Sequence, residues 1–111
     1  MDRWEMILGR ICRMIGEDLD LRIWKRSRME GWALFIWVVD ICDNSKRINP
    51  IRFVDRTRQE AVLRAILHYS IKMNLLLDAE TLLLDAENDI GFLLNPGIYE
   101  ELDMALSARG F

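Results

Sequence analysis

The chain is 111 residues long, 51% hydrophobic and 30% charged, with a net charge of −3. That balance predicts one folded domain over residues 1–111, not a disordered segment, and no apolar run approaches the roughly 20 residues a membrane span requires. The charge is uneven: residues 1–72 hold 14 Lys/Arg against 10 Asp/Glu, whereas residues 73–111 hold one Arg against eight Asp/Glu, so the two ends attract each other or attract different partners.

The first predicted element is an amphipathic helix over residues 2–15. Trp4, Ile7, Leu8, Ile11 and Ile15 recur at three- and four-residue spacing, with Asp2, Arg3, Arg10 and Arg13 off that stripe. Gly16 supplies the stop, because a left-handed residue past a helix end costs glycine little. Gly9 weakens the helix unless another backbone approaches there. The charges scattered through this stretch do not fit a secretory signal, which makes a cytoplasmic setting the expectation. Cys12 here and Cys42 further on read as free thiols among apolar neighbours.

Leu19, Leu21 and Ile23 alternate with Asp20, Arg22 and Trp24, the period of a half-buried strand. The polar stretch from Arg26 to Gly31 is expected to reverse the chain and close a hairpin. The strand that follows, Gly31 to Cys42, is the one the fold is organised around. It is rich in β-branched and aromatic residues, with Trp32, Leu34, Ile36 and Val38 on one face and Ala33, Phe35, Trp37, Val39 and Ile41 on the other. Both faces are apolar and need cover, so this is expected to be the central strand of a small sheet. Asp43 to Arg47 reads as a loop ended by Asn49 and Pro50. Ile51 to Val54 forms a short third strand, whose leading proline suits an edge. A three-stranded meander is the economical topology.

Thr57 and Glu60 have the spacing of a capping box, with Asp55 as the competing cap. The helix they open carries a polar stripe of Glu60, Arg64, His68 and Lys72, with Glu60 paired to Arg64, while Val62, Ala65, Ile66, Tyr69 and Met73 face the sheet. Leu75 to Glu80 is repeated as Leu82 to Glu87, a seven-residue period of good helix formers. One helix from Thr57 to Glu87 would be unusually long, so a break is expected at Asn74 or Asp78. Ile90 to Leu94 reads as a short extended segment. Asn95 and Pro96 then cap and open a last helix, with Ile98, Leu102 and Leu106 buried and Gly110 at its end. The expected fold is α+β: a three-stranded antiparallel meander packed against four to five helices, in the order α-β-β-β-α-α-α. Residues 75–111 form its acidic helical C-terminal part.

Motifs for chemistry are scarce. Asp85 to Gly91 superficially suggests a calcium loop, but the sixth position is Ile90 and the twelfth Pro96, so it reads as a solvated helix end. No glycine-rich phosphate loop, nucleophile elbow or metal-ligand spacing is present, and His68 falls on a charged helix stripe. These features predict no catalytic residue, cofactor or metal. The first strand is more informative. Arg22, Trp24 and Arg26 project from one face, with Arg28 following, and set an indole between guanidiniums. Such a surface stacks a base and holds phosphates, or docks a protein, or is covered by a helix while its arginines pair with the acidic C-terminal part. The leucines from Leu75 to Leu84 exceed one core-facing stripe and suggest a homodimer contact. Asp78, Glu80, Asp85, Glu87 and Asp89 form a negative surface beside them, suited to a basic partner.

The succession of helix, strand, glycine-tryptophan strand, short strand and a helix containing Gln59, Glu60, Ala61, Val62, Leu63, Arg64, Ala65, Ile66 and Leu67 resembles small phage-encoded α+β proteins of the ABA-sandwich kind. Those pair an aromatic-rich strand with a helix of similar pattern. The likeness covers Leu19 to Ser70; the leucine repeat and last helix have no counterpart. The layout also resembles several anti-CRISPR proteins, which are small, often acidic and non-enzymatic. The resemblance implies a phage or mobile-element protein that acts by binding a host protein, and it carries over no catalytic residue. The expected function is therefore a non-enzymatic protein-interaction module. The alternative is a nucleic-acid-binding accessory protein using the basic–aromatic strand face.

Overall fold

The computed structural model describes residues 3–15, 19–30, 32–43, 51–75 and 95–110, and within its strands the side chains of 27–30, 32–36 and 43 stand outside that description. The described elements run α1 (Arg3–Ile15), β1 (Leu19–Glu30), β2 (Trp32–Asp43), β3 (Ile51–Asp55), α2 (Arg58–Lys72) and α3 (Pro96–Ala108). The fold is α+β, and its sheet is an antiparallel meander in the order β1-β2-β3. The strand rich in β-branched and aromatic residues is indeed the central one.

Two expectations about the elements change. The polar stretch from Arg26 does not reverse the chain: β1 continues to Glu30, which pairs with Trp32. Cross-strand pairing with β2 holds this segment extended despite its local polarity. Among the described residues there are three helices, not the four to five expected. The reason for the break lies at the end of α2. Asn74 takes a left-handed φ of 55°, which asparagine tolerates, and the Met73 amide donates back to the Tyr69 carbonyl at 2.8 Å. Asn74 was one of the two expected break points. The helical leucine repeat expected beyond it lies outside the described residues.

The register sorts the sheet into two faces. β2 meets β3 with Val39 opposite Phe53, Ile41 opposite Ile51 and Asp40 opposite Arg52. Successive strand residues point to opposite faces, so Leu19, Leu21, Ile23, Trp37, Val39, Ile41, Ile51 and Phe53 share the face that packs on the helices. From α1, Trp4, Ile7, Leu8, Ile11 and Cys12 enter this core, largely the predicted stripe. The α2 helix buries more than one stripe, adding Ala61, Leu63, Leu67 and Ser70 to the expected Val62, Ala65, Ile66 and Tyr69. It needs the wider face because it packs on α1 as well as on β2 and β3. The last helix brings Ile98, Leu102 and Leu106, as its spacing predicts.

Helix ends follow their local signals. Thr57 caps α2, its hydroxyl oxygen accepting from the Glu60 amide at 3.1 Å. Asn95 caps α3, accepting from the Gly97 amide at 3.0 Å, and Gly110 closes that helix with a φ of 87°. Arg109 ties the two helix ends together by donating to the Met73 carbonyl at 2.8 Å and to the Asn74 carbonyl at 3.2 Å. A guanidinium there complements the negative end of the α2 dipole. No described helix is long and apolar enough to cross a membrane.

Candidate interaction surface

The described helices that pack on the sheet, α1 and α2, lie on one face of it. The opposite face of the central strand, expected to need equal cover, is flanked in the described structure by side chains of β1 and β3. Trp24, Val38 and Val54 form one row across this outer face, and Arg22, Asp40 and Arg52 form the next. Val38 is 1% exposed although it is not part of the helix-side core. Val54 is 44% exposed.

Asp40 is the centre of this face. Arg52 grips it with a two-pronged fork, Nε donating to Oδ1 at 2.6 Å and Nη2 to Oδ2 at 3.0 Å. The Trp24 indole Nε1 donates to Oδ2 at 3.1 Å. The Arg52 guanidinium carbon also stands 5.6 Å from the centroid of the Trp24 ring, within cation–π range. The hydrogen bonds from Arg52 hold the Asp40 carboxyl below its usual pKa against partial burial, and the Trp24 bond acts in the same direction. A carboxylate from the middle strand thus straps residues of both edge strands. Arg22 is exposed and its Nε donates to Asp20 at 3.2 Å. Arg26 is exposed on the same face.

Of the residues singled out from sequence, Arg22, Trp24 and Arg26 do share a face, and no helix of the described structure covers Trp24. Among the described residues Arg22 pairs with its own strand neighbour Asp20. Arg28 continues β1, with its side chain outside the described set. Asp78, Glu80, Asp85, Glu87 and Asp89 lie outside the described residues, as do Leu76 to Leu84. Leu75, the first residue of the suggested dimer contact, is 7% exposed and belongs to the core, so its own side chain is used within the chain.

Sequence reasoning missed Asp40 and Arg52. Their signal was present: in the alternation of Ile51, Arg52 and Phe53, once Phe53 faces the helices Arg52 must face away. A second carboxylate cluster sits at the opposite end of β3. Burial raises the Asp55 pKa, but hydrogen bonds from Glu60, Arg64 and the Arg56 amide outweigh it, leaving the group below its usual range. Glu60 is raised, chiefly by its hydrogen bond with Asp55. Arg64 therefore pairs with Asp55, where Glu60 was the partner expected. The buried Glu5 of α1 is met by Arg58 of α2, and Arg10 of α1 by Asp103 of α3. Both cysteines are free thiols; burial pushes Cys12 up to about 11. Compared with known proteins, the chain matches no family model, no curated protein and no solved structure.

Proposed function

We propose that this chain is a non-enzymatic protein-interaction module that meets its partner through the outer face of the sheet. One observation carries the reading: the strap of Trp24, Asp40 and Arg52 presents a tryptophan and an arginine in a fixed arrangement. Exposed Arg22, Arg26 and Val54 surround it. Tryptophan and arginine are the residues over-represented where binding energy concentrates at protein interfaces, and pre-organisation lowers the cost of ordering them.

The same geometry disfavours nucleic acid, the alternative reading. A stacking platform needs a free ring face, whereas the Trp24 ring has a guanidinium beside it. Two carboxylates, Asp20 and Asp40, also stand among the guanidiniums, and they repel phosphates. An inhibitor of a host protein, encoded by a phage or mobile element, is the specific form of this proposal, and it rests on the resemblance in size and element order. A cytoplasmic setting goes with it, supported by two unpaired thiols.

The test is affinity capture from lysate with the intact chain and an Arg22→Ala/Val54→Asp variant of equal stability, alongside titration with single- and double-stranded DNA and RNA at two salt concentrations. A protein retained by the intact chain and lost by the variant supports the proposal. Nucleic-acid binding that weakens steeply with salt and vanishes in the variant would replace it with the alternative.

A further inference from the structure

A second surface stands apart from the outer sheet face. Between α1 and β1, on the helix side of the sheet, lies a groove of about 440 Å³. Met6, Gly9 and Arg13 of α1 line it together with Leu21 and Ile23 of β1, and Glu5 and Arg10 complete the lining. β1 is an edge strand, so α1 leaves part of its apolar side uncovered: Leu21 and Ile23 are only half-buried and Met6 is 50% exposed.

Gly9 is the informative residue. It sits in the middle of a 13-residue helix, where glycine is the least favourable residue after proline. Close packing would justify it, yet a Cβ built at Gly9 meets nothing within 4 Å. Among the described residues nothing requires the missing side chain there; its absence enlarges the groove.

The charges around the groove are unequally engaged. Glu5 is held by Arg58, and Arg10 by Asp103 and Ser107. Arg13 is exposed and makes no ion pair among the described residues. The groove therefore offers an apolar floor beside one available guanidinium, complementary to an aliphatic side chain with a carboxylate nearby. We infer that the α1–β1 groove is a docking site for an acidic, amphipathic peptide segment of a partner protein. Its aliphatic side chains rest on Met6, Leu21 and Ile23, its backbone passes close over Gly9, and a carboxylate meets Arg13. The site is independent of the outer sheet face and survives if that face proves unused.

The test is a titration of the isotope-labelled full chain with three synthetic peptides, followed by amide chemical shifts. The peptides are Glu-Leu-Leu-Asp-Leu, its basic counterpart Lys-Leu-Leu-Lys-Leu, and the polar control Glu-Ser-Ser-Asp-Ser, all with blocked ends. The first is expected to shift Met6, Gly9, Leu21 and Ile23 saturably. The basic peptide should bind roughly fivefold more weakly, and the polar one not at all. Gly9→Leu should abolish the shifts, and Arg13→Glu should reverse the preference between acidic and basic peptides. Gly9→Ala, which suits the helix, serves as the variant whose fold is secure, and it should weaken binding measurably. Absence of shifts for the first peptide overturns the inference. So does binding indifferent to Gly9→Ala and Arg13→Glu, or a shift map centred on Arg22 and Val54. Equal shifts with octanoate would reassign the groove to small amphiphiles.

Discussion

The coupling between Asp40 and Arg52 is open to direct measurement. Asp40 accepts two bonds from Arg52 and one from Trp24, and its side chain is 15% exposed against 51% for Arg52. Exposed ion pairs are worth about 0.2–1 kcal/mol, whereas hydrogen bonds to a charged group are worth about 1.5–3 kcal/mol. The half-exposed arginine places the Asp40–Arg52 coupling near the boundary of these ranges, at about 1 kcal/mol. Asp40→Ala also strands the half-buried indole N–H of Trp24, so it should cost about 2 kcal/mol in all. Arg52→Ala leaves Asp40 with one partner and should cost less than Asp40→Ala. Urea denaturation of the two single variants, the double variant and the parent gives the coupling as a double-mutant cycle. A coupling below about 0.3 kcal/mol would mean the two-pronged contact carries no energy in solution, and the pre-organised interaction face would fall with it. pH offers an internal check. The folded Asp40 pKa is depressed, so its contribution is fully present above the unfolded carboxylate value near 4 and is lost as pH falls through the lower folded value. Stability lost on acidification should be smaller in Asp40→Ala.

Three further outcomes follow from single residues. Gly9→Ala should raise stability by about 0.8–1 kcal/mol, because the propensity gain comes without a steric cost; a fall in urea midpoint would reveal a neighbour packed against Gly9. Tyr69→Phe should hold or raise stability by about 1 kcal/mol, since the Tyr69 hydroxyl is buried with no hydrogen-bond partner among the described residues; a loss of about 1 kcal/mol or more would expose a hidden one. Thr57→Ala should cost about 1 kcal/mol and Thr57→Ser far less, and equal effects in thermal unfolding would show that the α2 cap is idle.

Legibility in the sequence followed the range of the forces involved. Asn95 with Pro96, and Thr57 with Glu60, act within one helical turn, and both helix starts appeared where those residues stand. The apolar stripes of α1 and α3 and the central place of the β-branched strand were readable for the same reason. What escaped was decided by neighbours distant in the chain. β1 extends to Glu30 because β2 pairs with it, against the local polarity of Arg26 to Glu30. Arg64 finds Asp55 instead of Glu60 because β3 delivers a partly buried carboxylate to the start of α2. Glu5, an acid beside an apolar stripe, is buried because Arg58 of another helix reaches it. The Asp40–Arg52 strap depends on the β2–β3 register, and no spacing within either strand fixes that.

That strap also bears on the outer face of the sheet. A central strand with apolar residues on both sides normally calls for two covering layers. Here Val38 is buried outside the helix-side core, in the row between Trp24 and Val54 and next to the row of Arg22, Asp40 and Arg52. The Trp24 indole, paired across the strands with Val38, and the Arg52 guanidinium both turn their polar atoms to Asp40. A partner that pulled Trp24 away from Asp40 would leave the carboxylate with fewer bonds. Binding that keeps the strap intact, with Arg22, Arg26 and Val54 making the new contacts around it, avoids that cost. Substitutions at those three positions should therefore reduce affinity with little change in stability, whereas substitutions at Trp24, Asp40 or Arg52 should move both together.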